Sequence, residues 1–483
     1  MVKVLFLSVL VFFAWAWAQE KPEVLVLLVD GQEVFQVTTG LVRYQFARNG
    51  GVLRSAYIHF ASYGTNPQET VPGWTGAAPG PGISLPFEVW LGETPLLEPH
   101  ALSVERPSKE SVVLHASFSG NQARVTKRFA FQEKALYTGE FQVEVEALGP
   151  IRLVLGHLPA GANAPELFYL YDGKLQKAPL APGSYAKFQG LGLISRDLVF
   201  FFRLDEGEAQ PFLGRNPAGQ PVFGLEAQGS LALKGLFYTG RNRYILLTDS
   251  GFAPLAKGGA FTLVLVGTIR FFEGLYRFTG NYGWAIILFT VITRILLHPL
   301  MRNQFRSMAK MQKLAPKIKK IQERFGDDRE ALQKQLMELY RQEKVNPLGG
   351  CLPLLLQLPI LILLWQAIMY SAEKIHLSPG FLWISDLSRP DPYYILVILG
   401  TGVQILYQWY TQRRLPEQAA GGSQFLGYLF PLVMALLFLS FPAGLWLYWT
   451  FTTLVQFGQQ MVIDWEMARE EARAGAGDGG KAS

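Results

Sequence analysis

The sequence predicts an α-helical polytopic membrane protein with a five-helix core, preceded by an N-terminal extracytoplasmic all-β sandwich domain. Three observations carry that prediction. Hydrophobic residues make up 49% of the 483 and charged residues only 17%, against about 25% charged in an ordinary soluble protein. The apolar excess is unevenly spread: short runs with turn residues between them fill the first half, and nearly continuous apolar runs fill the second. Basic residues concentrate between the first two long runs. A mean hydropathy of +0.17 excludes a disordered chain. The single cysteine, Cys351, excludes a disulfide framework or a Cys-rich metal site, and six scattered histidines leave little for a His cluster. No cofactor is expected.

Residues 1–18 read as a signal peptide or a signal anchor. Met1 to Lys3 is weakly basic, Val4 to Ala18 is apolar, and Ala16 to Ala18 has the small-x-small form of a cleavage site. Trp15 and Trp17 equally suit a membrane interface. Either way Lys3 stays inside and residue 19 onward is exported.

Residues 19–270 read as the β domain. Strands are expected over Glu23–Val29, Leu41–Phe46, Val52–Phe60, Phe141–Glu146, Leu198–Arg203 and Tyr244–Leu247, with a turn at Asn49 to Gly51 and a Pro- and Gly-rich loop over Val71–Pro86. Phe141–Glu146 alternates apolar and polar residues at period two. No triad, paired carboxylates or metal spacing stands out. A structural or binding domain is the plain reading, and a carbohydrate-active enzyme of sandwich fold the sharper one.

Residues 271–460 read as the membrane core, with spans at about 282–300, 349–370, 393–410, 425–441 and 443–457. Each approaches the ~20 residues that cross ~30 Å of hydrocarbon. The loop after the first span carries twelve basic residues, among them Lys313, Lys317, Lys319, Lys320 and Arg324; the next loop has only Lys374 and Arg389, and the one after has Arg413 and Arg414. That alternation obeys the positive-inside rule and puts the C-terminus in the cytoplasm. Within the basic loop, Met308, Met311, Leu314, Ile318, Ile321 and Phe325 form one helical stripe. Gly326 can end that helix in a left-handed conformation, and Asp327 with Glu330 has capping-box spacing for a second. Residues 301–348 are thus a cytoplasmic helical hairpin with a basic face, suited to lipid headgroups and to a polyanion such as ribosomal RNA.

An arginine inside a span is the chemically informative residue. Arg294 lies six residues before Leu300, about 9 Å from the cytoplasmic end, and a charge at the bilayer centre costs about 3 kcal/mol on insertion scales. Snorkelling to the interface is the plain reading. Thr290 lies one turn earlier on the same face. Gln357 also interrupts an apolar run, Gln404 and Gln408 are spaced i, i+4, and Tyr448, Thr452 and Gln456 form another one-sided row beside Trp449. Polar stripes on several helices are expected where helices converge on a wet cavity; interhelical hydrogen bonds, worth about 0.6 kcal/mol each, give the same pattern.

The runs Gly280 to Arg294, Met311 to Pro316, Asn346 to Pro359 and Phe441 to Tyr448 resemble the bacterial YidC membrane protein insertase family, of the YidC, Oxa and Alb superfamily. The resemblance is strong over about 275–460. It is weaker across the β domain, where Asn49 to Gly51, Val125 to Phe129 and Tyr238 to Gly240 fall in family order. It implies a non-enzymatic insertase and chaperone of the bacterial inner membrane, working alone or with the Sec translocon, and probing nascent hydrophobic membrane proteins in a hydrophilic groove open to cytoplasm and lipid. On the matching positions, Arg294 and Thr290 are implied to line that groove, and Tyr448 and Trp449 to contact a nascent transmembrane segment. The hairpin is implied to receive substrates and approach the ribosome, and the β domain to be a periplasmic sandwich contacting Sec components. Nothing in the spans demands more than a monomer.

Two departures stand out. Tyr282 occupies a position where tryptophan is common in the family, and the tail 461–483 is net acidic where many relatives have a basic tail. The acidic tail shifts the burden of ribosome contact to the hairpin. A transporter is the leading rival reading, but the spans show no internal repeat and no run of intramembrane carboxylates. A sugar-binding protein built on the β domain is a second.

Overall fold

The computed structural model describes residues 22–61, 65–71, 83–159, 161, 164–178, 187–256, 258–326, 328–343, 352–413 and 423–478. Residues 1–18, most of the loop expected at Val71–Pro86, and Asp327 lie outside the described residues. The chain divides into two compact units, Met1–Leu263 and Val264–Ser483.

The first unit is a β-sandwich. One sheet runs in simple order through β1 (Glu23–Val29), β2 (Gln32–Thr38), β3 (Val42–Ala47), β4 (Val52–Ile58) and β5 (Gln68–Val71). The other sheet contains β6 (Glu88–Leu91), β7 (Thr94–Pro95), β8 (Ala101–Ser108), β9 (Ser111–Ser119), β10 (Ala123–Gln132), β11 (Thr138–His157), β12 (Glu166–Tyr171), β13 (Lys174–Lys177), β14 (Phe188–Ile194), β15 (Leu198–Glu206), β16 (Gln210–Arg215) and β17 (Pro221–Arg241). Its spine has the order β13-β12-β14-β15-β17-β11-β10-β9-β8. All of these pairings are antiparallel, as period-two strands with one wet face should be. On β10, Val125, Lys127, Phe129 and Phe131 are buried while Arg124, Thr126 and Gln132 are exposed. The two sheets meet through aromatic rings: Phe46 of β3 lies 4.6 Å from Phe129 of β10, and Phe87 lies 4.7 Å from Phe129 and 5.4 Å from Phe202. Each such buried ring contributes about 1.5–3 kcal/mol relative to exposure.

Tyr244–Leu247 is not a strand. It forms the helix α1 (Tyr244–Asp249), with Ile245, Leu246 and Leu247 all buried and the Ser250 amide closing on the Leu246 carbonyl. A four-residue apolar run has no periodicity that separates strand from helix.

A second difference concerns the sequence up to residue 270. Residues read as the end of the β domain form α2 (Ala260–Thr279), 20 residues long. Leu265, Ile269, Phe272 and Glu273 are buried, while Leu263, Val264, Phe271 and Phe278 are exposed. Its β-branched residues (Thr262, Val264, Val266, Thr268, Ile269) favour a strand locally, but burial at i, i+4, i+7 is helical.

The second unit continues with α3 (Tyr282–Phe325), α4 (Arg329–Gln342), α5 (Leu352–Tyr370), the short α6 (Ala372–His376), α7 (Ile395–Gln412), α8 (Ser423–Leu437) and α9 (Ala443–Asp478). The expected first span and the first arm of the hairpin are one 44-residue helix, uninterrupted by Pro299 or Pro316. At 1.5 Å per residue it is about 66 Å long. The turn after it also differs from expectation. Gly326 is right-handed (φ −60°, ψ −30°), and Asp328 caps α4 by accepting from the Glu330 and Ala331 amides. The second helix is therefore capped one residue later than the Asp327 spacing suggests, and Gly326 is not used as a left-handed stop. Among the described residues, Tyr282–Pro299 is long and apolar enough to cross a membrane, at a mean hydropathy of 1.4, and Gln357–Tyr370 and Gly427–Leu437 are shorter apolar segments. The core joins Phe272, Tyr282, Ile286 and Phe289 with Leu364, Ile368, Leu396, Trp446 and Tyr448.

Candidate functional site

The α3 face that carries Thr290 and Arg294 turns inward. Thr290 has no exposed surface and Arg294 only 5%. Three other helices supply the atoms around the guanidinium. Arg294 Nη2 donates to Gln357 Oε1 of α5 at 3.1 Å and to Gln456 Oε1 of α9 at 3.4 Å. The Gln357 amide donates onward to the Tyr448 hydroxyl at 2.6 Å, and the Gln456 amide to the Tyr407 hydroxyl of α7 at 3.2 Å. Below this cluster the Gln459 amide lies 3.3 Å from the Arg294 carbonyl and 3.2 Å from His298 Nδ1. Among the described residues, no carboxylate is paired with Arg294. A cation thus sits in an apolar bundle, solvated by neutral amides and phenols, with its charge uncompensated. Such a site attracts an anionic group far more strongly than an exposed arginine does, because the low local dielectric strengthens Coulomb attraction.

The local sequence explains the geometry. Gln357, Tyr448 and Gln456 each sit among apolar neighbours in their helices, so burial of those neighbours carries these polar atoms inward, where they must find partners. Tyr448 and Gln456 are eight residues apart, two turns along one face of α9, and Thr452 lies buried between them.

The structure gathers Arg294, Tyr448, Thr452 and Gln456 with Gln357. Thr290 lies one turn along the same face, but its hydroxyl donates to the Ile286 carbonyl of its own helix at 2.7 Å. Trp449, which follows Tyr448 in the chain, is half-buried. Among the described residues, no hydrogen bond joins Gln404 or Gln408 to the cluster. The Gln408 side chain packs instead against Gly427 of α8, where an added Cβ would lie 2.3 Å from Nε2. Tyr407 is the α7 residue that reaches the cluster, one helical position from Gln408. A buried tyrosine hydroxyl requires a partner as an amide does, and Tyr407 finds it in Gln456. Tyr410 donates to Asp464 of α9 at 3.0 Å.

On the hairpin, Lys317 pairs with Glu343 at 2.5 Å, and Lys320 and Arg324 are exposed. The side chains of Lys313 and Lys319 lie outside the described residues. Among the described residues, no group of three His, Cys, Asp or Glu side chains is placed to hold a metal.

Fold and site together define a class: an all-β sandwich unit followed by a helical unit whose core encloses an arginine with no paired carboxylate among the described residues. Residues 274–470, within the helical unit, match the family model described as 60Kd inner membrane protein. The sequence resemblance to bacterial YidC holds. The chain is 38% identical over 252 residues to the membrane protein insertase YidC of Geobacter sp. (strain M21), covering 52% of this chain and 46% of that one. It is 45% identical over 195 residues to that of Shewanella halifaxensis (strain HAW-EB4), covering 40% and 35%. The matched regions thus span less than half the length of these relatives. A crystal structure of an active YidC insertase with its first transmembrane domain resolved shares the fold at a TM-score of 0.62 and 22% identity, over 95% of this chain and 99% of that one. That of YidC from Thermotoga maritima does so at 0.53 and 19%, over 90% and 98%.

Proposed function

We propose that the chain is a membrane protein insertase and chaperone of the bacterial inner membrane, multi-pass, with the β-sandwich outside and the C-terminus in the cytoplasm. Its clients are nascent hydrophobic membrane proteins, taken alone or together with Sec translocon components, and the basic hairpin is its contact with the ribosome. The lipid bilayer is the medium into which clients are released, and the protein works as a monomer. The lone Arg294 among Gln357, Tyr407, Tyr448 and Gln456 carries this reading. A client's short hydrophilic tail loses hydration on entering the bilayer; a polar cluster partway across shortens the apolar distance, and an uncompensated cation favours acidic tail residues. The client's apolar segment then partitions into lipid, gaining about 25 cal/mol for each Å² removed from water. The step is binding and partitioning, and no covalent chemistry is required.

Insertion of a single-spanning substrate into liposomes containing the purified protein tests this. Arg294→Ala is expected to lose insertion of acidic-tailed substrate and Arg294→Lys to retain most of it. Full activity of Arg294→Ala with acidic tails overturns the role of the cation, and no insertion by the unaltered chain overturns the function.

A further inference from the structure

We propose that Arg302 is a second receiving point for acidic client segments, kept occupied at rest by Glu466 of the same chain. This inference rests on the insertase reading above and extends it to a different residue pair.

Arg294, His298 and Arg302 recur every four residues on α3, so they share one face, and Arg302 stands about 12 Å along the helix from Arg294. Helix α9 answers each in turn. Gln456 faces Arg294, Gln459 faces His298, and Glu466 accepts two hydrogen bonds from Arg302, at 3.1 Å from Nε and 2.7 Å from Nη2. The inner two partners are neutral amides. Of the three, only Arg302 faces a carboxylate among the described residues. Exposure rises along the same line: Arg294 is buried, whereas the Arg302 and Glu466 side chains are 41% and 33% exposed. The seam therefore runs from a half-exposed, self-neutralised cation to a buried, uncompensated one.

That order has a consequence for an arriving acidic segment. At Arg302 it must replace Glu466, exchanging one carboxylate for another at an exposed pair, which is close to thermoneutral. A neutral segment gains nothing from the exchange and leaves the pair closed. Glu466 thus weakens retention of acidic segments at the outer point without preventing their passage to Arg294. It belongs to the net acidic stretch 461–483, and Asp464 two residues earlier ties the same helix to Tyr410.

The test is liposome insertion by the full chain, using a single-spanning substrate whose tail carries two Asp or two Asn. E466Q is expected to raise the acidic-to-neutral insertion ratio about twofold to fivefold; fivefold is ~1 kcal/mol at 1.4 kcal/mol per tenfold. The double variant R302E/E466R restores an ion pair of opposite polarity. It is expected to keep the thermal unfolding temperature of the unaltered chain while its ratio falls below that chain's. A purely structural pair predicts the opposite: the swap restores both temperature and ratio, which overturns the inference. An unchanged ratio in E466Q, from a protein that inserts both substrates, also overturns it. Failure of the unaltered chain to insert either substrate instead removes the insertase reading itself.

Discussion

Arg294 and Gln357 are joined across α3 and α5 by a 3.1 Å hydrogen bond, and the same amide donates to Tyr448 at 2.6 Å. Gln357 therefore acts as a two-sided spacer between a buried cation and a phenol. Replacing it by leucine removes a charge-assisted hydrogen bond and leaves the Tyr448 hydroxyl short of a donor. Gln357→Leu is expected to cost about 1.5–3 kcal/mol, and Tyr448→Phe nearer the ~0.6 kcal/mol typical of hydrogen bonds between membrane helices. Thermal unfolding of the purified chain in detergent measures both. In the double variant the two effects should fall short of additivity, because Tyr448→Phe removes a contact that Gln357→Leu has already broken.

Much of this site was legible in the sequence, and the exceptions have a common cause. Arg294, Tyr448, Thr452 and Gln456 stand out because charged and polar residues interrupt apolar runs at helical spacing. Gln404 and Gln408 satisfy the same criterion, yet Gln408 packs on Gly427. Spacing along a helix fixes which residues share a face, not which neighbour that face meets. Tyr407 was missed because a tyrosine in an apolar helix reads as an interfacial residue, and its hydroxyl becomes informative only once Gln456 is seen beside it. Helix α2 was hidden by β-branched residues whose local preference is outweighed by burial of Leu265, Ile269 and Phe272.

Gly283 shows why one run of the family resemblance contains a glycine. A Cβ there would lie 2.1 Å from Cγ of Phe381, whose ring makes an edge contact with Trp284 at 5.5 Å. The preceding Asn281 caps α3 through the Gly283 amide and holds the Gly380 carbonyl at 2.8 Å. Helix start and loop are thus pinned together with no space between them. Gly283→Ala is expected to destabilise the helical unit by about 1–3 kcal/mol through overpacking. Faster proteolysis of the 378–394 loop in proteoliposomes is the readout, and an unchanged cleavage rate contradicts the assignment.

Asp391 plays the corresponding part at the start of α7. Its carboxylate accepts from the Leu396 amide at 2.7 Å, the Tyr393 amide at 3.1 Å and the Trp383 indole at 3.2 Å, and it is almost fully buried. Asp391→Ala removes all three hydrogen bonds at once. The expected loss is about 2 kcal/mol or more, the upper range for a helix cap, because buried donors are left behind. Asp391→Asn keeps one carbonyl oxygen and should recover part of it. Amide hydrogen exchange over 381–396 distinguishes the two variants.

The β-sandwich contains a buried cation of a different kind. Lys127 of β10 has no exposed surface, and its ammonium donates to the carbonyls of Gly50, of Gly51 at 3.4 Å and of Phe87 at 2.7 Å. Two separate sequence runs, Asn49 to Gly51 and Val125 to Phe129, are therefore one contact between the two sheets. The turn that offers these carbonyls needs glycine, since Gly50 and Gly51 have φ of +70° and +55°. Lys127→Met strands these acceptors and is expected to cost about 3 kcal/mol or more. Burial pushes the lysine down to about 7, opposed by the nearby Glu88 carboxylate. The unfolded chain, with a lysine near 10.5, then binds more protons than the folded one between about pH 7 and 10.5, so this group makes stability rise with pH across that window. Glu88 and His100 face the same pocket. Burial raises the Glu88 carboxyl from its usual acid range and pushes His100 down to about 4, so His100 titrates well below the lysine window. Amide exchange of the β9–β11 peptides in the full chain should slow from pH 7 to 10, after correction for intrinsic rates, and Lys127→Met should abolish that slope. A slope that survives in Lys127→Met assigns the pH dependence to another group.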